Sequence, residues 1–300
     1  MKSSIGIIKA LAYSDLFSFP LTLGEIHKFY VGDGKITQNE IKKILISHPY
    51  INSQDGFYYL HGRKQIVAKR IAREEESTKK EKKAQRIAKI LSLLPTVKMI
   101  ALSGSLAQKN ARENDDIDLF IVTRNNTLWT SRLFINLILI ALFQKRKKNV
   151  REACNKICPN MLVTESSLQI PELAQNIYTA REIIQLRPLI SKDNTYQKFL
   201  ASNKWVKKIL PNTRIPKISD SNKYSKHEEI IEKIDNLLFS LQRKFMQISN
   251  ETVKKNIAKF HPRKTSDHVL FLYDKKLKLI EEIESKNSAA GESFMSHRHN

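Results

Sequence analysis

The apolar positions change period several times along the chain, and each change marks an element. Residues 5–18 read as a first helix, which Pro20 breaks. Thr22 and Glu25 stand at the two positions of a capping box. Thr37 and Glu40 repeat that spacing ahead of Ile41, Ile44 and Leu45. These patterns predict a second helix and an amphipathic third. The stretch 50–52, the turn Ser53-Gln54-Asp55-Gly56 and the run Phe57-Tyr58-Tyr59-Leu60 predict a β-hairpin, because Asp-Gly between apolar runs favours a tight turn. Three helices followed by a hairpin is the element order of a winged helix. Where such a domain binds DNA, the third helix enters the major groove. Here that helix carries Lys42 and Lys43 beside Glu40, and packing or protein contact is an equal alternative.

Residues 63–94 are polar and helical, with Glu75–Lys79 and Glu76–Lys80 in the favourable i,i+4 orientation. Lys79, Lys80, Lys82 and Lys83 read as a solvated basic face. Strands are predicted over 97–102, 117–123 and 161–164, with helices over 106–112 and 128–143. This alternation predicts an α/β core. The most apolar stretch, 133–143, is far shorter than the roughly 20 residues of a membrane-spanning helix. Its Leu133, Leu137, Ile140 and Phe143 read as a buried helix face. From Pro171 onward the pattern is helical, with amphipathic helices over 230–248 and 268–283. The expected organisation is a winged-helix-like domain (1–62), a linking helix (63–94), an α/β core (95–170), a helical domain (171–284) and a disordered tail (285–300).

Composition narrows the partners. The 300 residues are 41% hydrophobic and 27% charged, which excludes disorder or a disulfide scaffold as the main state. Fifty-two Lys+Arg against thirty Asp+Glu give a net charge of +22, a field that attracts polyanions such as nucleic acid and nucleotides. Cys154 and Cys158 have helical i,i+4 spacing with no His nearby, so they read as structural thiols of a reducing compartment. No secretory segment and no membrane span is visible, and a cytoplasmic protein is expected. Lys145-Arg-Lys-Lys148 reads as a basic loop, Arg132 as a surface arginine, and Glu113 and Asp115 as loop charges. His261, Asp267 and His268 need no metal, since Thr265 or Ser266 capping a helix explains the segment.

The chemistry concentrates in residues 101–123. A strand runs into Gly104-Ser105, which opens a helix, and Asp116-Ile117-Asp118 opens the next strand. Gly104 lets the backbone approach a phosphate closely. Ser105 offers a hydroxyl and an N–H where anions are favoured. Residues i and i+2 of a strand share a face, so Asp116 and Asp118 project together while Ile117, Leu119 and Ile121 bury on the other side. Two carboxylates beside a phosphate-binding turn suit hard divalent cations, which coordinate carboxylate and phosphate oxygens together.

This pattern resembles the polymerase-beta-type nucleotidyltransferase superfamily: a hydrophobic strand, Gly-Ser, a gap of about ten residues, then Asp-hydrophobic-Asp. The whole chain also resembles bacterial proteins that carry an N-terminal winged-helix-like unit before such a domain, through Tyr13-Ser-Asp-Leu-Phe17, Pro20-Leu-Thr22, Tyr59-Leu-His-Gly-Arg63 and Cys158-Pro-Asn160. The resemblance implies an α+β core with a mixed sheet. It implies transfer of a nucleoside monophosphate from a nucleoside triphosphate, ATP among them, to an acceptor, with release of pyrophosphate. By matching position, Gly104 and Ser105 hold the triphosphate, and Asp116 and Asp118 hold Mg²⁺ or Mn²⁺. The superfamily adds a third carboxylate on a later strand, and Glu165 is the candidate. The +22 charge favours an anionic or macromolecular acceptor. The alternative is a DNA-binding regulator, or an antitoxin-like partner of another protein, with an inactive transferase domain.

Overall fold

A computed structural model describes residues 2–145, 155–217, 228–244, 252–259 and 264–296. Cys154, His261 and the basic residues 146–148 lie outside them. In chain order the elements are α1 (Lys2–Asp15), β1 (Leu21–Thr22), α2 (Leu23–Phe29), α3 (Gln38–Ser47), β2 (Ile51–Gln54), β3 (Phe57–Leu60), α4 (Ile66–Leu91), β4 (Val97–Leu102) and α5 (Gly104–Ala107). There follow β5 (Ile117–Thr123), α6 (Leu128–Ala141), β6 (Ile157–Thr164), α7 (Ile177–Gln185), β7 (Arg187–Ser191), α8 (Thr195–Ser202), α9 (Glu228–Lys244), β8 (Thr252–Lys254), β9 (Ile257–Lys259) and α10 (Lys264–Ser296). They form two compact units. One comprises residues 1–67, 210–212 and 264–300; the other comprises 68–209 and 213–263.

In the first unit both predicted capping boxes form. Thr22 accepts from the Glu25 N–H and Thr37 from the Glu40 N–H, while each glutamate reaches back to the cap residue's own N–H. Glu40 consequently has its carboxyl held below the usual range, first by the Thr37 hydroxyl and then by the Thr37 N–H. The hairpin β2–β3 turns through Asp55 and Gly56, both at positive φ (52° and 77°). That pair of left-handed residues matches the twist of the flanking strands, and Asp-Gly supplies it. The short β1 adds to β3, giving the order β1-β3-β2. Ile7, Leu11, Leu21, Ile26, Ile41 and Leu45 form the interior. α10 packs on α1, with the Tyr273 hydroxyl donating to the Lys9 carbonyl at 3.2 Å. Two of the quoted sequence motifs meet here: Arg63 Nε donates to the buried Asp15 carboxylate at 2.6 Å, and Lys276 pairs with its other oxygen.

The second unit is a six-stranded mixed sheet in the order β7-β4-β5-β6-β9-β8, in which β5 and β6 are parallel and the other neighbours antiparallel. On one face, Ile117, Leu119 and Ile121 of β5 pack with Ala84, Ile87 and Leu91 of α4 and with Trp129, Ile135 and Leu139 of α6. The predicted division of β5 is therefore present. On the other face Phe120 stacks against Phe199 of α8, ring centroids 5.2 Å apart. α9 lies along α6. Thr127 spends its hydroxyl on the Arg124 carbonyl, so the buried Asp235 of α9 supplies the cap, accepting from the Thr130 N–H at 2.7 Å.

Several elements differ from expectation. The helix predicted over 106–112 stops after one turn: Lys109 takes φ 56°, and the Ala111 N–H leaves to reach Ser77 Oγ. β6 begins at Ile157, not 161, because a register shift between Leu119 and Phe120 leaves Asn160 as an extra residue after Pro159. Cys158 is thus on a strand, not a helix. Residues 187–191, 252–254 and 257–259 are strands inside a segment read as helical; they are three to five residues long, too short to display a period. The buried face of α6 is Leu128, Trp129, Ser131, Ile135 and Leu139. Leu137, Ile140 and Phe143, read as buried, are 50%, 52% and 83% exposed. α10 continues to Ser296, through residues expected to be a disordered tail. Among the described residues no helix is long and apolar enough to cross a membrane.

Candidate functional site

The site is assembled where β4 leaves the sheet and β5 enters it. The antiparallel pairing of Leu102 with Leu119 is extended by Ser103, whose N–H donates to the Asp118 carbonyl at 3.0 Å. Ser103 and Asp118 are therefore cross-strand neighbours on one face. Gly104 follows at φ 60°, a left-handed conformation that disfavours any side chain. A Cβ at this position would also stand 3.0 Å from Asp118 Oδ2. Glycine is favoured by its dihedral, and the carboxylate against it makes any side chain a tight fit. The parallel register sets Asp118 opposite Cys158. Asp116, Asp118 and Cys158 are partly exposed, and each offers a ligand atom within 4.8 Å of the other two. Ser103 Oγ is buried and has no hydrogen-bond partner among the described residues, and it does not cap α5.

Ser105 is placed beside this cluster, but its hydroxyl is occupied. Ser105 Oγ donates to Asp115 Oδ2 at 3.0 Å, and the Arg112 N–H donates to the same oxygen at 2.9 Å. Asp115, read as a loop charge, is the brace of the turn. The loop is also held from α4. Arg73 Nη1 donates to Asn110 Oδ1 at 2.9 Å, and Ser77 Oγ accepts from the Ala111 N–H at 3.1 Å. Lys80 Nζ donates to the carbonyls of Glu113 and Asp115 and to Asn155 Oδ1, each at 2.8 Å. Lys83 Nζ donates to the Asn155 carbonyl at 2.6 Å. The basic run of α4 is thus divided: Lys79 and Lys82 are exposed, whereas Lys80 is 1% exposed. Each loop carbonyl that lost its buried donor would cost about 1–3 kcal/mol.

α7 carries Tyr178 and Glu182 one turn apart, and Tyr178 senses the charge of Asp118. Burial pushes the Tyr178 hydroxyl well above its usual range, with the Glu182 and Asp118 charges adding to it. Burial likewise raises the Glu182 carboxyl, against the pull of Lys259 and Arg181. Sequence reasoning missed both residues. Their i,i+4 spacing is all the chain displays, and most amphipathic helices share it.

Glu165 is not part of this cluster. The β5–β6 register pairs Asp118 with Cys158 at one end and Thr123 with Thr164 at the other. Glu165 follows Thr164, so about seven residues of rise, roughly 20 Å, separate it from Cys158 along the strand. It sits instead near Lys98, Lys198, Asp193 and Arg124; burial raises its carboxyl, and the cations partly offset this. The expectation of Glu165 as the third acid is corrected on that geometry: the side chain facing Asp118 on the neighbouring strand is the Cys158 thiol. Arg132 is also elsewhere, donating to Gln242 Oε1 at 2.5 Å and lying over the Trp129 ring. Asp267 and His268 lie in the first turns of α10, in the other unit.

Residues 85–195 match the family described as "Polymerase beta, Nucleotidyltransferase", a stretch from the second half of α4 through the start of α8. A solved structure described as "Crystal structure of the toxin-antitoxin with AMP-PNP" is similar at 15% identity over 41% of this chain and 89% of that chain, with a TM-score of 0.26. No curated protein matches the chain. The family match covers somewhat over a third of the 300 residues and contains Gly104, Asp116, Asp118, Cys158, Tyr178 and Glu182, so residues 85–195 are a nucleotidyltransferase domain of the polymerase beta type.

Proposed function

We propose that the protein is a metal-dependent nucleotidyltransferase. It moves a nucleoside monophosphate from a nucleoside triphosphate to an acceptor hydroxyl. The acceptor oxygen bonds the α-phosphorus as its hydroxyl proton passes to water, the bond from that phosphorus to the bridging oxygen breaks, and pyrophosphate leaves with the electron pair. The observation that carries this reading is Gly104, forced bare against Asp118 beside Asp116 and Cys158, within a domain of the matching family.

The donor set fits a divalent cation, because two carboxylates and a third ligand-bearing side chain converge within 4.8 Å. Asp116 and Asp118 would hold Mg²⁺ or Mn²⁺, which would supply charge neutralisation for the phosphates. The rest is the work of the chain. The absent side chain at Gly104 lets the Ser103–Ser105 backbone approach phosphate oxygens. Ser103 Oγ has a hydrogen bond to give on the Asp118 face. Ser105 contributes main chain, with its hydroxyl anchoring the turn through Asp115. The +22 charge favours the encounter with an anionic acceptor, a nucleic-acid end or a macromolecule of that character. The test is incubation with each α-³²P-labelled nucleoside triphosphate and Mg²⁺ or Mn²⁺, with cell RNA, DNA and protein as acceptors. Label transferred by the native chain and lost in Asp116→Asn/Asp118→Asn supports the proposal; equal labelling by both contradicts it.

A second reading concerns the first unit. Three helices followed by a wing-like hairpin, with Lys42 and Lys43 exposed on α3, support a DNA-binding role, in a regulator or in a protein that pairs with another. DNA retained by the full chain and released by Lys42→Glu/Lys43→Glu, in a chain that labels no acceptor, favours that reading.

A further inference from the structure

We infer that Lys80 is a positioning residue of the cation site, holding the two strand entrances that carry Asp116, Asp118 and Cys158 in one geometry. The inference rests on the reading of the two aspartates as cation ligands. Its basis is the set of acceptors that one ammonium joins. The Asp115 carbonyl immediately precedes Asp116, at the entrance to β5. Asn155 lies two residues ahead of β6 and three ahead of Cys158. Lys80 Nζ donates to both and to the Glu113 carbonyl, each at 2.8 Å. Its three N–H groups therefore meet three acceptors, with Glu76 3.7 Å away. The residue is 1% exposed, and an ammonium taken out of water is retained only where such partners replace its hydration. The contacts between the two entrances close the same unit: the Ile117 N–H donates to the Lys156 carbonyl at 2.8 Å, and the Asn155 N–H to the Asp115 carbonyl at 3.4 Å.

A bridge of this kind sets the separation of the ligand atoms. If Lys80 is lost, the 113–116 loop and residue 155 no longer share an anchor, and the acidic pair no longer meets Cys158 at a fixed distance. Lys80 touches no reacting atom in this account; it acts through Asp116 and its neighbours. Residues supporting metal ligands in this way are worth about 10- to 100-fold in metal affinity.

The probe is Mn²⁺ alone, its dissociation constant read by electron paramagnetic resonance, with thermal melting in parallel. The full-length chains compared are the native protein, Lys80→Met, Asp116→Asn, the double variant Lys80→Met/Asp116→Asn, and Asn155→Gly. Glycine at 155 keeps the left-handed φ of 58° while deleting the acceptor. Lys80→Met is expected to weaken Mn²⁺ about tenfold in the native background and less than about twofold in the Asp116→Asn background. Asn155→Gly is expected to weaken it severalfold, and it decides the question should Lys80→Met not fold. Native affinity in Lys80→Met, or in Asn155→Gly where that variant decides, overturns the inference. So does an equal loss in both backgrounds, which marks a general structural role. Unchanged Mn²⁺ affinity in Asp116→Asn itself overturns the ligand reading, and the positioning role falls with it.

Discussion

The two ends of the parallel pair β5–β6 both present acids, and they are built differently. At the entering end, Asp116 and Asp118 converge with Cys158 beside a glycine whose Cβ would crowd Asp118, and α4 fastens the loop. At the leaving end, Glu165 stands near Lys98, Lys198, Arg124 and Asp193, and among the described residues it belongs to no group of three ligand-bearing side chains. The first arrangement concentrates negative charge and holds it in place. The second neutralises one acid with cations. Only the first groups three side chains that could hold a cation among the described residues, and a strand-end carboxylate by itself says little about which end it occupies.

The comparison can be broken most forcefully at Asp118. Asp118→Asn should lower transfer of labelled nucleotide by about 10²–10³-fold or more, with the melting temperature close to native. Gly104→Ala comes next. A side chain at φ 60° costs about 1–2 kcal/mol, and its Cβ would crowd Asp118 Oδ2. The KM for the triphosphate should rise about tenfold, as steady-state kinetics would measure. Cys158→Asp sharpens the comparison by making the entering end fully oxygen-liganded. Since Mg²⁺ prefers oxygen and a thiol is softer, Mg²⁺-dependent activity should rise severalfold relative to Mn²⁺-dependent activity.

Glu165→Gln gives the smallest effect and tests the leaving end. Activity should stay within about twofold of native. Burial holds the Glu165 carboxyl above the ordinary glutamate range, so the folded state binds its proton more tightly than the unfolded state. Its contribution is fully present below that range and is lost as pH rises through the folded pKa. The native chain should therefore lose stability relative to the variant as pH rises from about 4.5, and a series of melting curves against pH would show the two diverge.

Much of this was legible from local pattern. The capping boxes at Thr22 and Thr37, the Asp55-Gly56 turn and the alternation of β5 are dictated by residues within four positions of one another, and each is present. That Gly104, Asp116 and Asp118 come together follows from one strand-turn-strand segment that carries all three. Glu165 was misplaced because its role depended on the register of β5 against β6, and the bulge at Asn160 with the early start at Ile157 leaves no local mark. Lys80 read as solvated because its i,i+4 partner Glu76 is what an exposed helix also displays; its acceptors lie 33 to 75 residues away. The α6 face was misread because apolar residues occur all round that helix, and only its packing on the sheet core decides which of them bury.

The most direct test compares the two ends in a single experiment. Mn²⁺ binding would be measured by electron paramagnetic resonance in the native chain, Asp118→Asn and Glu165→Gln. The account predicts binding by the native chain, loss of at least about tenfold in Asp118→Asn and native affinity in Glu165→Gln. Loss in Glu165→Gln with native affinity in Asp118→Asn would put the cation at the other end of the sheet and contradict the account.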